Sequence, residues 1–217
     1  MRTTIFGGHG KVALLLAPLL VEAGHEVRAV VRNPDHVGDV EATGATAVVQ
    51  SVEDADVAAL TELLRGSDAV VWSAGAGGGD PERTDAVDRD AAIRSMDAAV
   101  AAGVGRYVMV SFSGASPDHL VPEDDSFRRY QDAKIAADDH LRSTDLGWTV
   151  LGPGALTTDP ADGRVNPAAS SRDGDESPRE LVAQVAAAVL ADERAVRRTL
   201  VLGKGDVPID TWLDQVD

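Results

Sequence analysis

The sequence predicts an α/β fold in which helices cover both faces of a doubly wound parallel sheet. Seven short apolar runs recur along its 217 residues, and segments with helical spacing separate them. Most of these runs are continuously apolar, which is typical of strands buried on both faces. The alternation of the two patterns indicates βαβ units and therefore a Rossmann-type sheet within one domain, residues 1–217.

The predicted strands and helices follow one another in a regular order. The strands are Thr3–Phe6, Val27–Val31, Ala47–Val49, Ala69–Trp72, Tyr107–Val110, Thr149–Leu151 and Leu200–Leu202. The helical segments are 11–23, 34–43, 55–65, 84–102, 125–143 and 178–192. One misfit is Pro18, which lies inside the first helix and should kink it or remove a hydrogen bond.

Glycines and a serine-proline pair mark the ends of the predicted helices. Four glycines each follow a helical segment, where a left-handed C-cap is expected. They are Gly24, Gly44, Gly66 and Gly103. At the start of the last helix, Ser177 is expected to be the N-cap and Pro178 the first helical residue.

Two stretches rich in glycine, proline, serine and aspartate carry neither pattern, and they lie around 74–84 and 153–177. Loops after the carboxyl ends of the strands form the ligand crevice of a doubly wound sheet. We therefore expect these two stretches to form a substrate crevice. A linker is the alternative for the second stretch, but the strand and helix that follow it continue the same sheet pattern.

Composition and charge exclude several classes of function. The 36 acidic residues outnumber the 20 basic ones and give a formal net charge of -16. Such a charge repels phosphate backbones, so nucleic acids and anionic membranes are not expected partners. The chain contains no cysteine, which excludes disulfides and Cys-ligated zinc. No metal site is predicted.

The longest apolar run, Val12–Val21, is shorter than the roughly 20 residues that a membrane-spanning helix needs. A glycine-rich turn precedes this run and no clear cleavage pattern follows it, so a secretion signal is not expected. We expect a cytoplasmic protein that is a monomer or a homodimer. Its expected partner is a small-molecule substrate, or none.

The stretch "TTIFGGHGKVA" predicts a phosphate-binding turn. Gly7, Gly10 and Ala13 have a G-x-x-G-x-x-A spacing directly after the first strand and at the start of the first helix. The first glycine permits the tight turn, the second lets a pyrophosphate approach the backbone, and the small third residue lets the helix pack on the strand. The residues expected to contact the dinucleotide here are Gly7, Gly8, His9, Gly10, Lys11 and Val12. For His9, the alternative is that it only caps the turn.

The end of the second predicted strand favours NADP over NAD, although NAD is a possible cofactor. An NAD site usually places Asp or Glu there to bind the ribose 2′-hydroxyl. Here the strand is followed by Arg32 and Asn33, and a guanidinium can bind a 2′-phosphate through two parallel hydrogen bonds. The alternative is that Arg32 is only an exposed residue at a strand end.

Tyr130 and Lys134 are a candidate catalytic pair in the fifth helical segment. They are four residues apart and therefore share one face of the helix. A nearby ammonium stabilises a phenolate, and such a tyrosine can give a proton to a carbonyl oxygen. The chain has only two tyrosines and three lysines, so a chance pairing is rare. The alternative is a surface salt bridge between Lys134 and Asp138.

A hydroxyl partner for this pair is expected at the end of the preceding strand, where "VMVSFSGAS" contains Ser111 and Ser113. Both serines lie near the predicted carboxyl edge of the sheet. Either one could orient a substrate carbonyl, or could only bond the backbone in a turn. The sequence does not choose between them.

Together, these motifs resemble the short-chain dehydrogenase/reductase superfamily, in its atypical branch of compact NAD(P)H-binding proteins. This branch is related to NmrA-like proteins and to flavin/biliverdin reductases. The matching stretches are "IFGGHGKVA", "VRAVVRNPD", "DAVVWSAG", "GVGRYVMVSFSGA", "YQDAK" and "LGWTVLGPGALT". The resemblance implies further contacts to the dinucleotide from Ser51, Val52, Ser73, Ala74, Gly75, Lys134 and Pro153.

Several residues depart from the pattern of this superfamily. Ser51 stands where relatives often carry an aspartate that contacts adenine, and Phe112 interrupts the usual Ser-Ser pair. Gly152 replaces the arginine that usually precedes the Pro-Gly pair. These changes affect the expected catalytic residues more than the expected cofactor site.

The residues and the resemblance leave four functions to compare. The first is an NADP(H)-dependent oxidoreductase, with Tyr130 as general acid/base, Lys134 as its electrostatic partner, and Ser111 or Ser113 orienting a small carbonyl, quinone or flavin-like acceptor. The second is a non-catalytic dinucleotide sensor. The third is a reductase of flavin or a similar flat acceptor, in which Tyr130 is dispensable. A sugar-nucleotide epimerase or dehydratase is disfavoured, because the region after Gly152 is short for such substrates.

Overall fold

The computed structural model describes residues 1–77, 80–170 and 175–216. Its strands are β1 (Arg2–Phe6), β2 (Glu26–Val31), β3 (Thr46–Val49), β4 (Ala69–Trp72), β5 (Arg106–Val110), β6 (Gly147–Pro153), β7 (Ala155–Thr157), β8 (Arg164–Val165), β9 (Glu176–Pro178), β10 (Arg198–Leu202) and β11 (Val207–Pro208). Seven of them form a parallel sheet in the order β3-β2-β1-β4-β5-β6-β10. This order reverses direction at β1, which places a crevice at the carboxyl ends of β1 and β4.

The helices lie between these strands in the chain. They are α1 (Lys11–Glu22), α2 (Val37–Glu41), α3 (Val57–Leu64), α4 (Pro81–Arg83), α5 (Ala92–Ala102), α6 (Arg128–Ser143), α7 (Arg179–Leu190) and α8 (Ile209–Leu213). A π-helical segment, Thr84–Ala91, joins α4 to α5. Short 3-10 turns cover Pro34–His36, Pro117–His119 and Glu193–Ala195. Among the described residues, no helix is long and apolar enough to cross a membrane.

Helices cover both faces of the sheet, as predicted. One core lies between the sheet, α1 and α7, where Leu16 and Val185 are fully buried. The other lies between the sheet, α3, α5 and α6, where Leu60, Met96 and Leu141 are fully buried. The predicted doubly wound α/β fold is therefore confirmed. Its physical basis is the apolar character of both faces of each central strand.

All seven predicted strands are present, and β6 departs most from its prediction. It extends two residues beyond Thr149–Leu151 at each end. Gly147 pairs with Arg106 in β5, and Pro153 pairs with Leu202 in β10. Pairing with two neighbouring strands therefore overrides the poor strand propensity of glycine and proline.

The predicted helix ends are mostly correct. The four expected C-cap glycines all have left-handed backbone, with φ between 73° and 85°: Gly24, Gly44, Gly66 and Gly103. Pro18 lies within the continuous helix α1, where it removes one backbone hydrogen bond without ending the helix. The N-cap prediction for Ser177 is wrong. Its hydroxyl donates to the Leu202 carbonyl at 2.7 Å, and α7 begins at Arg179.

The described part of the stretch 153–177 does not form a linker, because it contains short strands and is hydrogen-bonded to the end of β10. β7 pairs with β9, and β8 pairs with β11. The Gly154 N–H donates to the Leu202 carbonyl of β10 at 3.3 Å. In the stretch 74–84, residues 81–84 form α4 and the start of the π-helical segment. Residues 78–79 and 171–174 of these predicted crevice loops lie outside the described residues.

Candidate dinucleotide and substrate site

Two adjoining clefts open at the carboxyl ends of the central strands. The narrow cleft has a volume of about 360 Å³ and runs from the glycine turn toward the ends of β2 and β3. The wide cleft has a volume of about 1090 Å³ and extends toward α6. Four residues line both clefts: Gly10, Ser73, Ala74 and Gly75. An elongated ligand can therefore occupy both clefts at once.

The turn between β1 and α1 needs glycine for steric reasons that the structure makes explicit. Gly7 has φ 76°, and a Cβ there would lie 2.6 Å from backbone atoms of Ala74. A Cβ on Gly8 would lie 2.7 Å from the Ala29 Cβ in β2. Gly10 directly precedes α1, whose first N–H groups have no partner within the helix. This cradle of bare backbone fits a phosphate group.

The residues after β3 divide between the cleft and the protein interior. Val52 lines the narrow cleft, together with Gln50 and Glu53. The Ser51 hydroxyl is buried, and it has no hydrogen-bond partner among the described residues. Ser51 is not among the residues that line either cleft, so its contact with the dinucleotide stays a prediction.

An ion-pair bridge that the sequence did not predict crosses the outer end of the narrow cleft. Arg32 Nη1 and Arg83 Nη2 lie 2.7 and 3.0 Å from the same oxygen, Glu53 Oε1. Arg32 was expected at this site, whereas Arg83 and Glu53 come from α4 and from the segment after β3. Asn33 also lines the cleft, and its side chain caps the following turn by accepting the Asp35 N–H at 3.0 Å.

His9 belongs to a histidine stack at the edge of the narrow cleft. Its ring lies on the ring of His36 with a centroid separation of 3.6 Å and an interplanar angle of 12°. His9 Nε2 is 2.8 Å from Asp39 Oδ2 in α2. The side chain therefore ties the glycine turn to α2, and both histidines line the cleft. Neither contact is evident from sequence spacing.

Tyr130 and Lys134 of α6 line the wide cleft together with Lys11 and Val12 of α1. Lys134 is only 1% exposed, and its Nζ donates to the Val110 carbonyl at 3.1 Å. The alternative interpretation, a surface salt bridge with Asp138, is therefore wrong, since Asp138 is also fully buried. The pair faces the end of β5, as a catalytic role requires.

The electrostatic environment of Tyr130 differs from the sequence expectation. Burial raises the pKa of the Tyr130 phenol, and the nearby carboxyl groups of Asp88 and Asp138 raise it further. A phenolate stabilised by Lys134 would have a lowered pKa instead. Because burial and two carboxyl groups act in the same direction, Tyr130 retains its proton at neutral pH. It is arranged as a proton donor.

Two buried carboxyl groups near this pair are functional candidates that the sequence did not reveal. Asp88 lies in the π-helical segment, lines the wide cleft and accepts the Ala76 N–H at 3.1 Å. Burial raises its pKa, although Lys134 opposes the shift. Asp138 is likewise buried with a raised pKa. π-helical turns often occur at functional sites, but nothing in the local sequence predicts one here.

The structure distinguishes the two candidate serines. Ser111 lines the wide cleft, and its Oγ donates to Asp138 Oδ2 at 2.6 Å. Ser113 lies farther along the chain, where its backbone N–H donates to the Pro153 carbonyl at 2.8 Å. Pro153 itself is a buried residue of β6 rather than a residue of either cleft lining. Its expected contact with the dinucleotide is not supported by this position.

Three aromatic rings pack together at the wide cleft, which Phe127 and Tyr130 line. Phe112, Phe127 and Tyr130 lie with ring centroids 5.2 to 5.6 Å apart. Phe112 thereby supports the ring of Tyr130, which gives a structural reason for its replacement of serine. Phe127 is 44% exposed and presents an apolar surface at the mouth of the cleft.

The ionisation of Tyr130 can be measured directly because the chain has only two tyrosines. In a Tyr107→Phe variant carrying 3-fluorotyrosine, the ¹⁹F signal reports Tyr130 alone. We expect its pKa to exceed that of free 3-fluorotyrosine, since burial disfavours the charged form. Asp88→Asn should lower this pKa, because it removes a negative charge and keeps an acceptor for the Ala76 N–H.

The control for this titration is Glu123→Gln, which neutralises an exposed carboxyl group lining the same cleft. It should leave the pKa of Tyr130 unchanged. Circular dichroism over the same pH range tests whether the fold persists. A Tyr130 pKa at or below that of the free amino acid would contradict the structural account.

A doubly wound sheet with a glycine turn between its first strand and first helix defines the class of dinucleotide-binding α/β proteins. A family model described as NAD(P)H-binding matches residues 7–193 of the chain. The chain therefore belongs to this NAD(P)H-binding family. The fold and the resemblance predicted from the sequence are confirmed.

The chain is similar over nearly its whole length to proteins named as epimerases and to one named as an oxidoreductase. The uncharacterized sugar epimerase YhfK of Bacillus subtilis is 32% identical over 213 residues, which cover 96% of this chain and 97% of the relative. A solved structure described as a putative NAD-dependent epimerase/dehydratase from Bacillus halodurans is 32% identical, with a TM-score of 0.89 and 99% of both chains covered. The oxidoreductase ylbE from Lactococcus lactis is 26% identical with a TM-score of 0.86, covering 100% of this chain and 96% of that one.

Proposed function

We propose that this protein is an NADP(H)-dependent oxidoreductase acting on a small carbonyl, quinone or flavin-like acceptor. The observation that carries the proposal is that Tyr130, protonated at neutral pH, lines a wide cleft that adjoins the glycine cradle. The bare backbone at Gly7, Gly8 and Gly10 would hold the pyrophosphate of the cofactor. When bound, the dinucleotide supplies a hydride from its nicotinamide ring.

Tyr130 is the proton donor in this proposal. Its raised pKa keeps the phenol neutral, so its O–H can donate to the oxygen of an acceptor in the wide cleft. As that O–H bond breaks and a new one forms on the acceptor, negative charge develops on the phenolic oxygen. Lys134, whose Nζ donates to the Val110 carbonyl, lines the same cleft and would hold the nicotinamide ribose there. Solvent then returns the proton to Tyr130.

Ser111 would orient the acceptor, with help from Asp138. The Ser111 hydroxyl donates to Asp138 Oδ2. Burial raises the pKa of Asp138, and its carboxyl group holds the Ser111 side chain at the wide cleft. An acceptor oxygen beside Ser111 would compete with Asp138 for the serine O–H. Ser113 has no such access from its position beside Pro153.

The second candidate is a non-catalytic dinucleotide sensor. The observation in its favour is that the Ser111 hydroxyl donates to Asp138, so its proton is already used within the protein. A sensor would need the glycine cradle and the arginine bridge but would not need Tyr130. Two relatives are named as epimerases. Sugar nucleotides are therefore included among the compounds tested.

The decisive experiment combines cofactor binding with an acceptor screen. We expect NADPH to bind the purified protein at least about tenfold more tightly than NADH, because Arg32 can form charge-assisted hydrogen bonds with a 2′-phosphate. NADPH oxidation is then followed with carbonyl, quinone and flavin acceptors, and sugar nucleotides are tested for epimerisation. Tight NADPH binding without turnover of any acceptor would favour the sensor. Tighter binding of NADH than of NADPH would contradict the proposed contact between Arg32 and the 2′-phosphate.

A further inference from the structure

The bridge formed by Arg32, Glu53 and Arg83 has the geometry of an anion-binding subsite. Two guanidinium groups from different parts of the fold converge on a single oxygen, Glu53 Oε1. The three side chains together carry a net charge of about +1, since arginine and glutamate are ionised at neutral pH. All three line the narrow cleft that contains the glycine cradle. Two arginines at one point of the cleft are notable in a chain with net charge -16, and Asp80 and Asp88 also act on Arg83.

Arg83 is held in place independently of Glu53. Its Nη1 donates to the Ala76 carbonyl at 2.8 Å, so the guanidinium remains fixed if the carboxylate leaves. Its Nε is buried, and no partner for it occurs among the described residues. The Nη groups of a planar guanidinium are well suited to the oxygens of a phosphate group.

Glu53 Oε1 occupies the position that a phosphate oxygen would take between the two arginines. A phosphomonoester carries a larger charge than a carboxylate and offers three acceptor oxygens. It can therefore satisfy both guanidinium groups better than one carboxylate oxygen does. Arg32 and Glu53 have side chains that are 59% and 23% exposed, so the bridge can open without disturbing the core.

We propose that Arg32 and Arg83 together bind the 2′-phosphate of the dinucleotide, and that Glu53 fills this subsite until the phosphate displaces it. The inference rests on the proposed use of NADP(H) and adds Arg83 and Glu53 as residues that determine cofactor specificity. Glu53 acts against phosphate binding, because its ion pairs must open first. An acidic residue at this end of a dinucleotide site can instead bind ribose hydroxyls of NAD. That role would require Glu53 to assist binding, so the two roles predict opposite effects.

The test uses adenosine 2′,5′-bisphosphate and AMP, which differ only by the 2′-phosphate, in isothermal titration calorimetry. Glu53→Gln should tighten binding of the bisphosphate by about tenfold, since no ion pair has to open. Arg83→Gln should weaken binding of the bisphosphate by about tenfold or more. Neither change should alter AMP binding. Because neither probe contains nicotinamide, the readout does not depend on catalysis.

The control is Arg89→Gln, which removes an arginine that pairs with Asp85 and Asp90 on the π-helical segment. It should leave the affinities for both probes unchanged. Weaker bisphosphate or AMP binding by Glu53→Gln would overturn the inference, and so would unchanged bisphosphate binding by Arg83→Gln. Equal affinity of the unaltered protein for both probes would instead contradict the proposed preference for NADP.

Discussion

Replacement of Tyr130 by Phe is expected to lower the turnover of the best acceptor by about 10² to 10⁴-fold, the usual contribution of a positioned proton donor. The phenylalanine ring keeps the contacts that Tyr130 makes with Phe112 and Phe127, so the wall of the wide cleft stays intact. NADPH affinity should be unchanged, because the glycine cradle and arginine bridge lie elsewhere. Steady-state kinetics and a fluorescence titration with NADPH measure the two quantities separately.

The chain offers a matched control in its other tyrosine. Tyr107 is fully buried in β5, and its hydroxyl lies 2.7 Å from the Ser95 hydroxyl. Tyr107→Phe should reduce stability by about 1 kcal/mol through the lost hydrogen bond and leave turnover unchanged. If Tyr130→Phe leaves turnover unchanged as well, proton donation by Tyr130 is wrong. Direct hydride transfer to a flat acceptor would then describe the reaction.

Replacement of Gly7 by Ala is expected to abolish NADPH binding and to destabilise the fold. The left-handed backbone at Gly7 costs an L-residue about 1 to 2 kcal/mol. The new Cβ would also lie 2.6 Å from the backbone of Ala74, so the glycine turn and the end of β4 would have to separate. This movement would disrupt the cradle shared by the two clefts. Urea unfolding and NADPH titration measure both effects.

Gly24→Ala distinguishes the effect of left-handed backbone from the effect of a steric clash such as the one at Gly7. Gly24 has φ 82°, yet a Cβ there would meet no atom within 4 Å. This variant should lose only the 1 to 2 kcal/mol of strain and should bind NADPH normally. Equal stability losses in the two variants would contradict the steric role of Gly7.

Gly10→Ala provides a third variant, since φ at Gly10 is −64° and the new Cβ would lie 3.0 Å from the Gly7 carbonyl oxygen, a milder contact than at Gly7. It should weaken NADPH binding while the protein remains folded.

The strongly negative net charge of the chain makes the few positive groups in the two clefts important for binding an anionic cofactor. With a net charge of -16, the surface as a whole repels an anionic cofactor. The bridge of Arg32, Glu53 and Arg83 and the start of α1 offset this repulsion at two points of the narrow cleft. Buried Lys134 adds positive charge in the wide cleft. Binding of an anionic dinucleotide should therefore depend on a few placed groups rather than on the overall field.

Local sequence determined the fold and the position of the glycine turn. Continuous apolar runs such as Ala69–Trp72 bury both faces of a strand, and the helical periodicity of 84–102 and 125–143 places helices between the strands. Gly24 and Gly103 mark helix ends because only glycine readily adopts left-handed backbone. These properties act over a few residues, so they can be recognised in the sequence without knowledge of distant contacts.

The tertiary structure alone decided which side chains share the site. Glu53 meets Arg32 across 21 residues of sequence and Arg83 across 30, and Asp88 of the π-helical segment lines the wide cleft. Ser111 was separated from Ser113 by its contact with Asp138. Even the sign of the pKa shift at Tyr130 depends on burial and on carboxyl groups from two helical segments. Such long-range contacts follow from packing, which no local periodicity encodes, whereas the fold follows from periodicity itself.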